Sequence, residues 1–225
     1  MKLRQLHINA PDARDFDRSR MTFDARWACD SYRDLIGGKL DAGKYTGIQI
    51  ELRRSGLSPS AKGFDRWLQV ELDFDLRSYF KQPLGARKVI LNDVLRDGCI
   101  AASSALGIDP AHFERCHQAV AAAGYLRSWT CPRVRSKDGK RAAALECIHD
   151  IDEFRMNLLV MTADGQLIER VHVISSKPDS LIFTSHIGKP RWKSSRMIDV
   201  LNAAGITFFT ADVYAGQITY ATPYE

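Results

Sequence analysis

Apolar and polar positions alternate along residues 45–54, with Ile48, Ile50 and Leu52 on one side and Gln49, Glu51 and Arg53 on the other. Residues 67–74 repeat the pattern, Leu68, Val70, Leu72 and Phe74 opposing Gln69, Glu71 and Asp73. A period of two is that of a strand with one buried face, so two strands are predicted, joined by the Gly/Ser/Pro-containing loop 55–63. Residues 2–9 form a further short strand. Between them the period lengthens. From Thr22, a predicted N-cap, Phe23, Trp27, Ser31 and Leu35 recur every four residues with Ile36 beside them, one helical face that stops at Gly37-Gly38.

Residues 85–106 read as a helix with Ile90, Leu91, Val94, Leu95, Ala102 and Ala105 inward, closed by Gly107 as a left-handed stop. Asp109 is placed to cap a second helix, with Pro110 in its first turn and Gly124 at its end. Its inner stripe is Phe113, Cys116, His117 and Val120, so 85–124 reads as a helical hairpin. In the C-terminal half the period returns to two: Ala143, Leu145, Cys147, His149 and Ile151 fall on one face. Asp164-Gly165 signals a two-residue hairpin, in which Ala163 faces Gln166, Leu158 faces Val171 and Met156 faces Val173. Met156, Leu158, Val160, Leu167, Val171 and Val173 would share one face, and Asn157, Arg170 and His172 the other. Strands are also expected at 181–185, 206–212 and 217–222, and a short helix at 195–204 stopped by Gly205. The class is α+β, a largely antiparallel sheet with helices packed on one face. One domain over 1–225 is expected, with 125–140 as the place where it would sub-divide.

Composition changes this picture little: 45% hydrophobic and 26% charged residues suit an ordinary globular chain. No apolar run approaches 18 residues, so no membrane span is expected. The start has no continuous apolar segment of the kind a secretory signal needs. The five scattered cysteines then read as reduced thiols, and the expected location is the cytoplasm.

Charge changes it more. In residues 127–141 six basic residues face one acidic residue, and 187–196 adds four basic residues and no acid, against a net charge of +5 for the whole chain. The basicity therefore lies in two segments expected to connect elements. Such a patch speaks to a partner's charge, not to the fold.

The densest chemistry is "CIHDIDEF" at 147–154. On a strand Cys147 and His149 point the same way and can reach one metal ion, but zinc needs further ligands. The best other donors, Cys116 and His117, are adjacent on a helix and diverge. Cys147 and His149 are therefore expected to pack on the buried face, with no metal and no cofactor. An enzyme using Cys147, His149 and Asp150 is one alternative, and Cys131, in the basic segment before Pro132, is a candidate exposed thiol. A second alternative is nucleic-acid binding through 127–141 and 189–196, where Trp129 and Trp192 stand among cations. The helical hairpin offers little to nucleic acid, because Arg115 is the cation of its second helix.

The stretch "LDFDLRSYFKQPLGARKVILNDVLRDGCIAASSALGIDPAHFERCHQAV" pairs an acidic-aromatic D-F-D-x-x-x-Y-F turn with a helix carrying L-x-x-x-L spacing. After "LGID" a second helix begins near Phe113. Over these residues, about 72–120, the chain resembles bacterial immunity proteins of polymorphic or contact-delivered toxin systems. The resemblance implies a cytosolic, non-catalytic module that binds and neutralises a cognate toxin. Immunity proteins against nucleases tend to be acidic whereas this chain is basic, so its toxin would present an acidic surface. The partner surface expected from the basic segments comprises Trp129, Arg133, Arg135, Lys189, Arg191, Trp192 and Lys193. Charge reversal at Arg133 and Arg191 is expected to weaken that contact and leave the fold intact.

Overall fold

The computed structural model describes residues 1–54, 56, 58–179, 183–213 and 218–219. The fold is α+β, and the chain forms two compact units, Met1–Arg127 and Ser128–Glu225.

The first unit begins with β1 (Gln5–Asn9), α1 (Asp15–Ile36) and β2 (Gly47–Arg53), followed by β3 (Ser60–Phe64) and β4 (Trp67–Asp73). These strands form one sheet in the order β1-β2-β4-β3. β1, β2 and β4 run parallel, with Ile8 opposite Ile50 and Ile50 opposite Val70, so this half of the molecule departs from the antiparallel pattern. The two alternating segments are indeed strands, with Ile48, Ile50, Leu52, Leu68, Val70 and Leu72 buried. They are not linked by a plain loop, however. β3 folds back antiparallel on β4, turning through Asp65 at φ 50°. Every residue of β3 is exposed, so it carries no apolar alternation by which to recognise it.

α1 starts seven residues before the expected N-cap. Asp15 and Asp17 occupy its first turn, where the amide ends attract negative charge. Thr22 lies inside the helix and its hydroxyl donates to Arg18 O at 3.0 Å. Met21, Ala25, Trp27, Ala28, Tyr32 and Ile36 are buried, whereas Phe23 and Leu35 are exposed. A strict spacing of four drifts by about 40° per step on a 3.6-residue helix, so its ends rotate out of the core.

α2 (Leu76–Phe80) is capped by Asp75, which accepts from Arg77 N and Ser78 N at 3.0 and 3.1 Å. α3 (Leu84–Leu106) ends at Gly107 in the left-handed region, and α4 (Ala111–Ala122) follows once Asp109 has accepted from Ala111 N at 2.9 Å. α3 and α4 touch where Asn92 Nδ2 donates to His117 O at 3.1 Å. Phe113, Cys116 and Val120 are buried as expected, while Ala105 faces out. α3 approaches the sheet at Gly98, where an added Cβ would lie 2.4 Å from Ile50 Cδ1. A side chain there would push the helix off β2.

The second unit holds two sheets. One comprises β5 (Arg127–Thr130), β6 (Val134–Arg135), β7 (Arg141–His149), β8 (Phe154–Thr162) and β9 (Leu167–Ser176), in the order β5-β7-β8-β9 with β6 also on β7. Thus 127–141 supplies strands, not only a connection. The other comprises β10 (Pro190–Trp192), β11 (Met197–Leu201), β12 (Thr207–Asp212) and β13 (Ile218–Thr219), neighbours in that order. Both sheets contribute to one core: Leu145, Phe154, Met156 and Leu158 from the first, Trp192, Ile198, Val200 and Phe209 from the second.

The β8–β9 connection is looser than a two-residue hairpin. Gly165 N donates to Thr162 O at 3.1 Å and Thr162 N to Gln166 O at 2.9 Å, enclosing Ala163–Gly165. Thr162 Oγ1 also bonds Asp164, which favours the wider turn. Leu158 does face Val171, but Met156 faces Ile174 because β9 carries an extra residue at Val173, and a second extra residue, Ile168, lies nearer the turn. β9 ends its sheet and pairs on its other side with no strand among the described residues.

The helix expected at 195–204 is a strand. β11 pairs antiparallel with both β10 and β12, and these ladders override the helix-like spacing of Met197, Val200 and Leu201. Of the strand expected at 181–185, Thr184 and Ser185 instead enter a 3-10 turn that runs to His186, and 181–182 lie outside the described residues. Of 217–222, Ile218–Thr219 is the described part and is a strand.

Candidate functional site

Cys147 and His149 end β7 with no exposed surface. His149 Nε2 donates to Pro178 O at 3.2 Å, and its ring stands edge-on to Phe183, 4.9 Å between centroids. Asp150 turns the chain toward β8, its carboxylate accepting from Ile151 N at 2.6 Å and its own N–H donating to Glu153 O. Glu153 pairs with Arg155 at 3.1 Å in solvent. Among the described residues no group of three His, Cys, Asp or Glu is arranged to hold a metal ion. The cluster at 147–154 is therefore divided among core, turn and surface.

His149→Ala is expected to lower stability by about 1–3 kcal/mol in urea denaturation. His149→Gln should cost less, because an amide can still donate toward Pro178 O. Loss of a biological activity with stability unchanged would instead mark His149 as a site residue.

Among the thiols, Cys29 is pushed up to about 12 by burial, and burial raises Cys99 and Cys116 as well. Cys131 differs. It is half-buried beside Cys147, and a hydrogen bond from that thiol outweighs burial and lowers it to about 7.

The two basic segments meet in the second unit. Trp192 Nε1 donates to Val134 O at 3.0 Å, which joins β10 to β6 across 58 residues of sequence. Val134 and Trp192 turn toward the core while Arg135 and Arg191 turn out, as alternation along a strand requires. Trp192 retains 6% exposure, so it is a core residue of this unit. Trp129 is half-buried against Phe154 and Phe183, at 6.2 and 6.4 Å between centroids.

The cations divide into two kinds. Arg191 Nη2 and Lys193 Nζ reach the two oxygens of Asp199 at 2.9 and 3.0 Å, and Asp199 is fully buried. Thr210 and Thr207 donate to the same carboxylate at 2.9 and 3.2 Å. Burial pushes this carboxyl up, but the hydrogen bonds from Arg191, Lys193 and Thr210 together outweigh it and hold it below the usual range. Charge reversal at Arg191 would set a second carboxylate against Asp199, so it cannot leave the fold untouched as the sequence suggests. Arg133, Arg135 and Lys189 are exposed and make no ion pair among the described residues, and Arg133 lies over the Gly165 turn. Lys137 and Lys140, also exposed, stand on the turn between β6 and β7. Charge counting could not have found Asp199, because the reason for its place is the neighbouring strand.

No family model, no curated protein and no solved structure matches this chain. No helix among the described residues is long and apolar enough to cross a membrane.

Proposed function

We propose that this chain is a non-catalytic protein-binding module, an immunity protein that neutralises a bacterial toxin by covering an acidic part of its surface. The observation that carries this reading is the bond from Trp192 to Val134 O, which brings two basic segments distant in sequence onto adjoining strands. Lys193 and Arg191 serve the fold through Asp199, and Arg133, Arg135 and Lys189 remain to face a partner. A cationic face of this kind speeds encounter with an anionic partner, an advantage that falls as salt rises.

The test uses the product of a toxin-like reading frame beside the gene. Co-expression with the intact chain is expected to rescue growth. The triple variant Arg133→Glu, Arg135→Glu, Lys189→Glu should fail to rescue while its circular dichroism stays unchanged. A purely metabolic gene neighbourhood, or rescue undiminished by the triple variant, would sink the reading. Salt-sensitive binding to single-stranded or duplex oligonucleotides, abolished by the same variant, would replace the protein partner with nucleic acid.

A further inference from the structure

Where parallel strands end side by side, the connections leaving their carboxyl ends can border a crevice, and open α/β sheets bind ligands in crevices at this end of their strands. The first unit has such a crevice. The exits from β1 into α1, from β2 at Arg54, and from β4 into α2 enclose a cleft of about 360 Å³. That is within the usual range for small-molecule sites, about 300–1,000 Å³.

Its charges are unevenly committed. Arg53 is tied to Asp12 at 2.8 Å and to Glu51 at 2.9 Å. Asp75 is engaged with the amides of α2 and the Ser78 hydroxyl, and those bonds hold it below the usual carboxylate range. Arg14, Arg54 and Arg77, one from each exit, are exposed and make no ion pair among the described residues, although Arg54 stands near enough to Asp75 to help lower its carboxyl. Asp17 is the remaining carboxylate of the lining. No side chain caps α1 at Arg14, so its positive end opens on the same space. Phe74, half-buried, supplies an apolar wall.

We propose that this cleft binds a small phosphomonoester, its phosphate held by Arg14, Arg54 and Arg77 and its organic part laid against Phe74. A carboxylate offers two oxygens and is satisfied by one guanidinium, whereas a phosphate dianion offers three and can engage guanidiniums arriving from three directions. The site lies in the first unit and is independent of the basic face of the second.

Isothermal titration of the full chain at constant ionic strength, with phenyl phosphate, inorganic phosphate and benzoate as probes, tests this. Phenyl phosphate should bind one saturable site, more tightly than either of the other two. Arg54→Gln and Arg77→Gln should each weaken it about tenfold, the scale of one charge-assisted contact, with circular dichroism unchanged. The proposal is overturned by no saturable binding up to about 10 mM phenyl phosphate, by unaltered affinity in both variants, or by benzoate or inorganic phosphate binding as tightly.

Discussion

Asp24→Ala is expected to destabilise the first unit by about 3–5 kcal/mol, the cost of leaving a buried charge without its partner. Asp24 lies on α1 and accepts from Arg87 Nη1 at 2.6 Å and from the Tyr79 hydroxyl at 2.8 Å. The two charged side chains are only 10% and 8% exposed. The Arg87 guanidinium also sits 5.7 Å from the centre of the Tyr79 ring, and its Nε has no hydrogen-bond partner among the described residues. Asp24 is thus the acid that balances a guanidinium already short of acceptors. Burial, with the negative charge of Asp24 beside it, raises the Tyr79 phenol, so the phenol stays a donor throughout the physiological range. The same energetics give a second expectation. Asp24→Ala with Arg87→Met removes both charges and should recover most of the loss, because an apolar pair needs no compensation. Urea denaturation of the two single variants and the double variant checks this. A double variant no more stable than Asp24→Ala would mean that the carboxylate acts through packing and not through charge.

Asp199→Ala should cost about 2–4 kcal/mol in the second unit. The loss is expected to be smaller than at Asp24, because Arg191 and Lys193 are each 54% exposed and return to water when the acid is removed. Thr210, buried on β12, cannot, and its hydroxyl loses an acceptor. The contribution depends on pH with a definite sign. Because the folded carboxyl titrates below its ordinary value of about 3.9, its stabilisation is full above that value. It declines as the pH falls below it and is gone once the pH passes the lower folded value. The stability difference between the native chain and Asp199→Asn should therefore be flat near neutrality and shrink in acid. A difference that persists unchanged at about pH 2 would show that hydrogen-bond shape, not charge, is what Asp199 supplies.

What could be read from the sequence was local. Alternation placed Leu145, Cys147 and His149 on the buried face of β7, and Gly107, Asp109 and Gly124 marked the ends of α3 and α4. What could not be read depended on partners distant in sequence. Met197, Val200 and Leu201 carry a helix-like spacing, yet β10 and β12 hold them in a ladder. The parallel pairing of β2 with β4 was invisible because half-buried strands alternate alike in either direction. At the candidate surface, charge counting found the cations but not which were already paired. Asp199 separates Arg191 and Lys193 from Arg133, Arg135 and Lys189. The arginines of the first unit's cleft, scattered at 14, 54 and 77, form no run that a scan of charge would notice.

The extra residues in β9 bear on how copies of this chain meet at high concentration. An edge of ten residues that no strand covers among the described residues, with Leu167 and Ile168 about half exposed, would ordinarily be a template on which another strand could grow. Fibrillar stacking needs donors and acceptors in step over the whole contact. β9 falls out of step at Ile168 and again at Val173, and each bulge adds local twist. Arg170 and Glu169 place opposite charges between the two offsets, which makes β9 a poorer template for a second strand than a regular edge of the same length.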